Sequence, residues 1–331
     1  MKRASSIAIG QSIIVFSLFI TATVCCGAEA TTDTSKADSD FPIQGEYTGT
    51  VTLDGEEQKV GVQIIAKGDG NFDAVGYIGG LPGAGWNGSE KFQETGKLVG
   101  DRLVIKTEHS MAVLKDGKLS IESLDGKDVG LLEKIARKSP TLGMKPPANA
   151  TVLFDGSNVD HWKNGKMTDD GKLMQGTTSK PTFQDHQLHI EFQLPYQPKS
   201  RGQGRGNSGL YLQGRYEVQM LDSFGLEGKN NECGGVYSIK APDVNMCLPP
   251  LSWQTYDIDF IAARYDDKGK VTKNPHMTVK HNGVVIHKNI ELPHHTTAAP
   301  MKPGNSPGPV YLQDHSNPVR YRNIWVVPVD Q

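Results

Sequence analysis

The stretch Asn207-Ser208-Gly209-Leu210-Tyr211-Leu212-Gln213-Gly214-Arg215-Tyr216-Glu217-Val218-Gln219-Met220-Leu221-Asp222-Ser223-Phe224-Gly225 decides the fold class. From Tyr216 to Leu221 the side chains alternate, with Tyr216, Val218 and Met220 on one side and Glu217, Gln219 and Leu221 on the other. A strand sends alternate residues to opposite faces, so one set joins a core while the other displays Glu217 and Gln219. Asp222 and Ser223 close the strand. A carboxylate and an amide on one face, with a second carboxylate at the strand end, suit a sugar or a metal. The solvated outer face of an ordinary antiparallel sheet would carry the same pattern.

Outward from this strand, similar runs recur at 188–194, 209–213, 235–239, 255–262, 276–281, 284–287, 309–313 and 320–327. Asn282-Gly283 is a strong hairpin signal between two of them. Roughly nine strands with no long amphipathic helix predict an all-β domain, a jelly-roll β-sandwich over 150–331. Leu210–Arg215 (LYLQGR) and Val310–His315 (VYLQDH) share Tyr-Leu-Gln. They read either as neighbouring strands presenting Gln213 and Gln313 to one cleft or as a chance likeness of two buried strands.

Upstream, 139–149 is a proline-rich bridge (Ser139-Pro140 to Pro146-Pro147), expected to be a semi-rigid linker. Before it, 41–138 shows short strands separated by Asp54-Gly55, Lys67-Gly68-Asp69-Gly70-Asn71 and Asp116-Gly117, which predicts a smaller β-rich domain. Within it, 131–137 reads as a helical turn or two. Residues 31–40 are polar and expected to be a disordered linker. The basic Lys2 and Arg3, the apolar Ile7–Val24 and the small residues around Ala28-Glu29-Ala30 predict a signal peptide over 1–30, hence export to periplasm or medium. Cys25 and Cys26 raise a lipid anchor, which Val24 before Cys25 disfavours. Gly10, Gln11 and Ser12 interrupt the apolar run, so no membrane span is expected in the mature chain.

The chain carries 35 Lys and Arg against 37 Asp and Glu, a formal −2. Loss of the leader removes Lys2, Arg3 and Glu29. No clustered basic face suggests nucleic acid. The glycine-rich run 201–206 precedes a strand rather than a helix, so no nucleotide cofactor is expected. Cys233 and Cys247 remain after cleavage and are expected to pair as a disulfide, with two buried free thiols as the alternative.

Several motifs now fall in order: Val152-Leu153-Phe154-Asp155-Gly156 with Trp162, Asp185–Phe192, the opening stretch, Trp253-Gln254-Thr255-Tyr256-Asp257, Asn282-Gly283-Val284, and Gly308–His315 with Arg322-Asn323-Ile324-Trp325. Together they resemble the 3-keto-disaccharide hydrolase, or 3-keto-glucoside-1,2-lyase/hydratase, family. The resemblance implies a concanavalin-like sandwich acting on sugars oxidised at C3. It also implies cleavage by C2 deprotonation, β-elimination and hydration. The alternatives are a glycan-binding module of the same architecture and an ordinary glycoside hydrolase; the latter is disfavoured because Glu217-x-Gln219 is not a pair of acids.

For that chemistry Glu217 and Glu232 are candidate catalytic carboxylates. His315 is a third candidate, because imidazole titrates nearer neutrality (about 6.5) than a free carboxylate (about 4). Arg215, Gln219, Lys240, Gln254, Arg264, Gln313 and Asp314 are candidate substrate contacts. A divalent metal ion held by Glu217, Asp222 and His315, with Gln219 as a further oxygen donor, would suit the C3 carbonyl. His294-His295 reads as a loop pair. Trp162 and Trp325 read as core, and Trp253 as core or a sugar platform.

Overall fold

A computed structural model describes residues 30–53 and 55–329. The expected signal peptide, with Cys25 and Cys26, lies outside the described residues. Among the described residues no helix is long and apolar enough to cross a membrane.

The first unit is a closed eight-stranded antiparallel barrel. Its strands are β1 (Gly45–Leu53), β2 (Glu56–Gly68), β3 (Asn71–Ile78), β4 (Lys91–Val99), β5 (Arg102–Lys106), β6 (Ser110–Lys115), β7 (Lys118–Ser123) and β8 (Asp128–Ile135), and β1 pairs with both β2 and β8. Closure leaves no free edge to pair with another chain. The expected helical turn at 131–137 is instead mostly β8. Leu132 is fully buried while Leu131 is 44% exposed, the alternation of a strand. Leu-Leu-Glu-Lys suits a helix locally, but the unpaired edge of β1 needs a partner, and pairing Gly49 with Leu132 supplies it. Gly49 is required there, since a Cβ would stand 2.1 Å from the Leu131 carbonyl oxygen.

The second unit is the expected β-sandwich. Its strands are β9 (Thr151–Phe154), β10 (Trp162–Lys163), β11 (Leu173–Met174), β12 (Thr177–Phe183), β13 (His186–Gln193), β14 (Ser208–Leu212), β15 (Tyr216–Met220), β16 (Trp253–Ile261), β17 (Arg264–Tyr265), β18 (Val271–Lys273), β19 (His276–His281), β20 (Val284–Glu291), β21 (Gly308–Leu312) and β22 (Arg320–Pro328). One sheet runs β10-β12-β21-β14-β15. The other runs β11-β22-β13-β16-β19-β20, with β9 also on β22. Leu210, Leu212, Val218, Met220, Val310 and Leu312 of the first sheet meet Leu188, Ile190, Phe192, Tyr256, Ile258 and Val279 of the second in one core. Burial of such side chains contributes roughly 1.5–3 kcal/mol each. Residues 235–239, expected to be a strand, make only isolated bridges from Val236.

The two units share packing. Ile65, Val75, Tyr77 and Leu81 of the barrel belong to the sandwich core, while Tyr196 and Leu251 of the sandwich pack into the barrel core. Residues 31–40, expected to be disordered, are ordered instead: Thr31 pairs with Tyr196 through two backbone hydrogen bonds, and Asp40 is buried. The proline-rich bridge is stitched to the outer face of the larger sheet. Ser139 and Thr141 hydrogen-bond Thr255, Thr141 also reaches Asp257 (2.7 Å), and the Gly143 N–H donates to Glu191 (2.6 Å).

Candidate functional site

A three-residue loop, Gln213-Gly214-Arg215, joins β14 to β15. Gln213 and Gly214 both take left-handed backbone (φ 51° and 62°), which turns the chain tightly and sets Leu212 opposite Tyr216. Tyr211 therefore lies directly opposite Glu217, and Gly209 opposite Gln219. On the far side of β14, Tyr211 pairs with Tyr311 of β21, so LYLQGR and VYLQDH are indeed neighbouring strands. Because they run antiparallel, Gln213 and Gln313 lie at opposite ends rather than in one cleft. Gln213 donates to the Phe183 carbonyl and Gln184, while Gln313 donates to the Tyr211 hydroxyl (3.2 Å).

One face of the smaller sheet thus carries Tyr211, Glu217, Gln219, Tyr311 and Gln313. The Tyr211 hydroxyl donates to Glu217 Oε2 at 2.8 Å. Glu217 Oε1 reaches across β14 above Gly209, where a Cβ would stand 2.2 Å from it. The Glu217 N–H donates to Thr296 Oγ1 (2.9 Å), and the Tyr237 N–H to the Glu217 carbonyl (3.2 Å), so loops from both directions hold the strand. These loops carry Ser238 and Ala298 in the left-handed region (φ 60° and 59°), backbone that costs of order 1 kcal/mol and recurs where sites are shaped.

Glu217 is only 2% exposed and, among the described residues, has no cationic partner. Burial pushes its carboxyl up to about 7, and the Tyr211 hydrogen bond pulls back only in part. Burial and the neighbouring Glu217 charge drive the Tyr211 phenol upward, so it stays a proton-bearing donor. The sheet face expected to display Glu217 and Gln219 to solvent is in fact covered. Gln219 is 1% exposed and donates to Gln203 Oε1 (3.1 Å).

Of the other candidate residues, Gln313 joins this cluster and Asp314 stands exposed just beyond it, accepting from the Ser316 N–H in a turn. His315 is exposed on the same loop. Glu232 lies elsewhere, accepting from the Gly228 and Lys229 N–H groups. Four candidate contacts have protein partners away from this cluster. Arg215 is buried and donates to the Lys302 and Ser306 carbonyls. Arg264 pairs with Asp185, and Lys240 with Asp243. Gln254, fully buried, accepts from the Leu248 N–H (2.8 Å). Sequence reasoning missed Tyr211 and Tyr311 as site residues; the Gln213-Gly214 turn, which fixes the pairing of Tyr211 with Glu217, was the signal that could have found them.

The expected metal set does not assemble. Asp222 is tied to Arg205 Nε (2.6 Å), Glu217 to Tyr211, and among the described residues no three His, Cys, Asp or Glu side chains converge on a point. The expected disulfide is likewise absent: Cys233 and Cys247 are buried free thiols, Cys233 meeting the Tyr256 hydroxyl at 3.3 Å and Cys247 donating to the Leu221 and Leu248 carbonyls (3.6 and 3.5 Å). Trp162 and Trp325 are buried as expected. Trp253 is half-buried, with the Arg322 guanidinium 4.0 Å above its ring.

A buried carboxylic acid hydrogen-bonded to a tyrosine on one face of a two-sheet sandwich is a candidate proton-transfer site, and fold alone does not say on what. The profile of the 3-keto-alpha-glucoside-1,2-lyase-like domain matches residues 149–327, and the chain belongs to that family. A crystal structure from Parabacteroides distasonis ATCC 8503, bearing the name "putative glycosyl hydrolase", is similar at 32% identity and a TM-score of 0.51, covering 55% of this chain and 85% of that one. A second structure of the same name and organism shares 18% identity with a TM-score of 0.41, over 55% of this chain and 94% of that one. No functionally curated protein matches the chain significantly.

Proposed function

We propose that the sandwich cleaves 3-keto-glycosides by elimination and hydration, with Glu217 as the base. The observation that carries this reading is the buried, cation-free Glu217 carboxylate, held near 7 between Tyr211 and Gly209. A base works best when its pKa lies near the working pH, and perturbed carboxylates of this kind concentrate at active sites.

A ketone at C3 acidifies the hydrogen on C2. Glu217 takes that proton, and the electron pair left on C2 is delocalised onto the C3 oxygen as an enediolate. We assign stabilisation of that oxygen to the Tyr211 hydroxyl, whose proton is released from Glu217 once the carboxylate is protonated, and to the Gln313 amide; one such donor is commonly worth about 3–4 kcal/mol in the transition state. Collapse of the enediolate forms the C1–C2 double bond and breaks the C1–O bond. The departing oxygen takes up a proton, for which the protonated Glu217 is the nearest source. Water then adds across the double bond, its hydroxyl to C1 and its proton to C2, giving net hydrolysis. Burial favours the sequence, because a low-dielectric site strengthens these hydrogen bonds. No step is assigned to a metal, given the scattered donors, nor to Glu232 or His315.

The test is to incubate the protein with a 3-keto-glucoside, with and without EDTA, and follow the products by NMR. A 2-hydroxyglucal-type intermediate formed equally well with EDTA is the expected result. Formation abolished by EDTA would restore a metal to the mechanism. Saccharide binding without turnover would make the domain a glycan-binding module.

A further inference from the structure

We propose that the cleft where the barrel meets the sandwich is a second saccharide-binding site, one that takes a neutral glycan unit. The barrel wall is formed by Ile65, Val75 and the outward residues of β4, Gln93 and Thr95. The sandwich wall is formed by the 201–205 turn and the Phe224–Lys229 loop. The cleft holds about 520 Å³, within the ~300–1,000 Å³ typical of small-molecule sites. It abuts a second depression of about 690 Å³ on the outside of the barrel, the two sharing Lys67, Asp73 and Thr95.

The chemistry of the walls selects the ligand class. Lys67 is paired with Asp73, Arg205 with Asp222 (2.6 Å), and Glu227 with Lys91 (2.8 Å), and the other lining charges, Arg201 and Lys229 against Glu94 and Glu232, cancel in number. Little net field is left to draw an ion of either sign. What remains is a mixture of hydrogen-bonding groups and apolar surface. Thr95 is exposed, Gln93 bonds only Glu227 (2.9 Å), and Arg205, 6% exposed at the cleft floor, has an Nη2 without a hydrogen-bond partner. Leu226, 40% exposed and packed beside the buried Phe224, supplies the apolar part. A pyranose has this dual character, with hydroxyls at its edge and C–H groups on its faces. An anion would find too many carboxylates, and a wholly apolar ligand would leave the polar groups unpaired.

The cleft also touches the loops that shape the Glu217 face. Gly202 and Glu232 line it, and their neighbours Gln203 and Asn231 are hydrogen-bonded to each other (2.8 Å), with Gln203 accepting from Gln219 (3.1 Å). The barrel thereby gains a role that the sandwich alone could not fill, and the site stands whether or not Glu217 is a base.

The test uses the full chain with trehalose, maltose and cellobiose as probes, read by amide hydrogen exchange and by titration calorimetry. At least one sugar is expected to protect residues 93–95 and 224–229. Thr95→Trp, which fills the cleft from an exposed barrel position, is expected to weaken binding tenfold or more. Lys229→Ala is expected to weaken it less, while Glu217→Gln leaves that protection in place. The proposal is overturned if none of the sugars binds, if protection is confined to 208–220 and 308–313, or if both cleft variants bind like the wild type.

Discussion

Glu191 and Glu217 occupy the outer faces of the two sheets of one sandwich, at almost equal depth: 1% and 2% exposed. Their carboxyls move in opposite directions. Burial alone would push both up. Around Glu191, hydrogen bonds from Asn323, Arg322 (2.7 Å) and the Gly143 N–H, with the His189 ring 3.7 Å away, outweigh burial and hold the group at about 2. Glu217 has one tyrosine, and burial wins, to about 7. Depth does not set the direction in which a buried acid shifts; the supply of donors and cations does. Glu191 fastens the proline-rich bridge and Arg322 to the sheet. Glu217 is left with a proton it can exchange at neutral pH.

The comparison breaks most visibly on activity. Glu217→Gln should lower kcat by roughly 10²–10⁴-fold with KM little changed, because the amide keeps the shape and loses the base. Glu191→Gln should leave kcat of the folded protein near wild type. Equal losses in steady-state assays would erase the distinction between the two acids.

Stability should respond the other way round. Glu191→Gln removes the charge that Arg322 and His189 face, at a cost of about 2–3 kcal/mol in urea unfolding, moderated because Arg322 is itself 35% exposed. Glu217 carries a folded pKa above its unfolded value of 4.5, so the folded state holds the extra proton between 4.5 and about 7 and loses relative stability as pH rises through that window. Glu217→Gln should therefore stabilise the protein above pH 7 by up to ~3 kcal/mol, the gain vanishing below pH 4.5. A gain constant with pH would mean that Glu217 does not titrate in this range. In the wild type, kcat/KM should fall below pH 7 as Glu217 becomes protonated.

The smallest expected effect sharpens the geometry. Gly209→Ala places a Cβ where Glu217 Oε1 lies, swinging the carboxylate aside. A drop in kcat of about tenfold is expected, with the acidic limb of the pH profile shifted downward as the carboxylate meets more solvent. An unchanged pH profile would show that Gly209 does not set the environment of Glu217.

The sandwich was legible in the sequence where one local rule sufficed. Alternation marked β15, and Asn282-Gly283 marked the hairpin between β19 and β20, with Asn282 in the left-handed conformation that such a turn needs (φ 50°). That Glu217 and Gln219 share one sheet face was readable because alternation sends them to the same side of their strand. What was hidden depends on contacts distant in sequence. Barrel closure turned 128–135 into a strand against its local leaning. The setting of β15 comes from Gln203, which meets Gln219, and from Tyr237 and Thr296, which pair with the Glu217 backbone, none adjacent in the chain. Arg215, Lys240, Gln254 and Arg264 looked like ligand contacts because their partners, the 302–306 loop, Asp243, Leu248 and Asp185, are fixed only by the fold.

In the proposed chemistry Glu217 removes the C2 hydrogen of a 3-keto-glycoside. The most direct measurement follows that hydrogen by NMR, comparing C2-protonated and C2-deuterated 3-keto-glucoside with the wild type and with Glu217→Gln. The account predicts a primary isotope effect on formation of the 2-hydroxyglucal-type intermediate by the wild type, and neither that intermediate nor C2 exchange with solvent in the variant. Turnover by Glu217→Gln at the wild-type rate, or glycoside cleavage with the C2 hydrogen retained throughout, would contradict it.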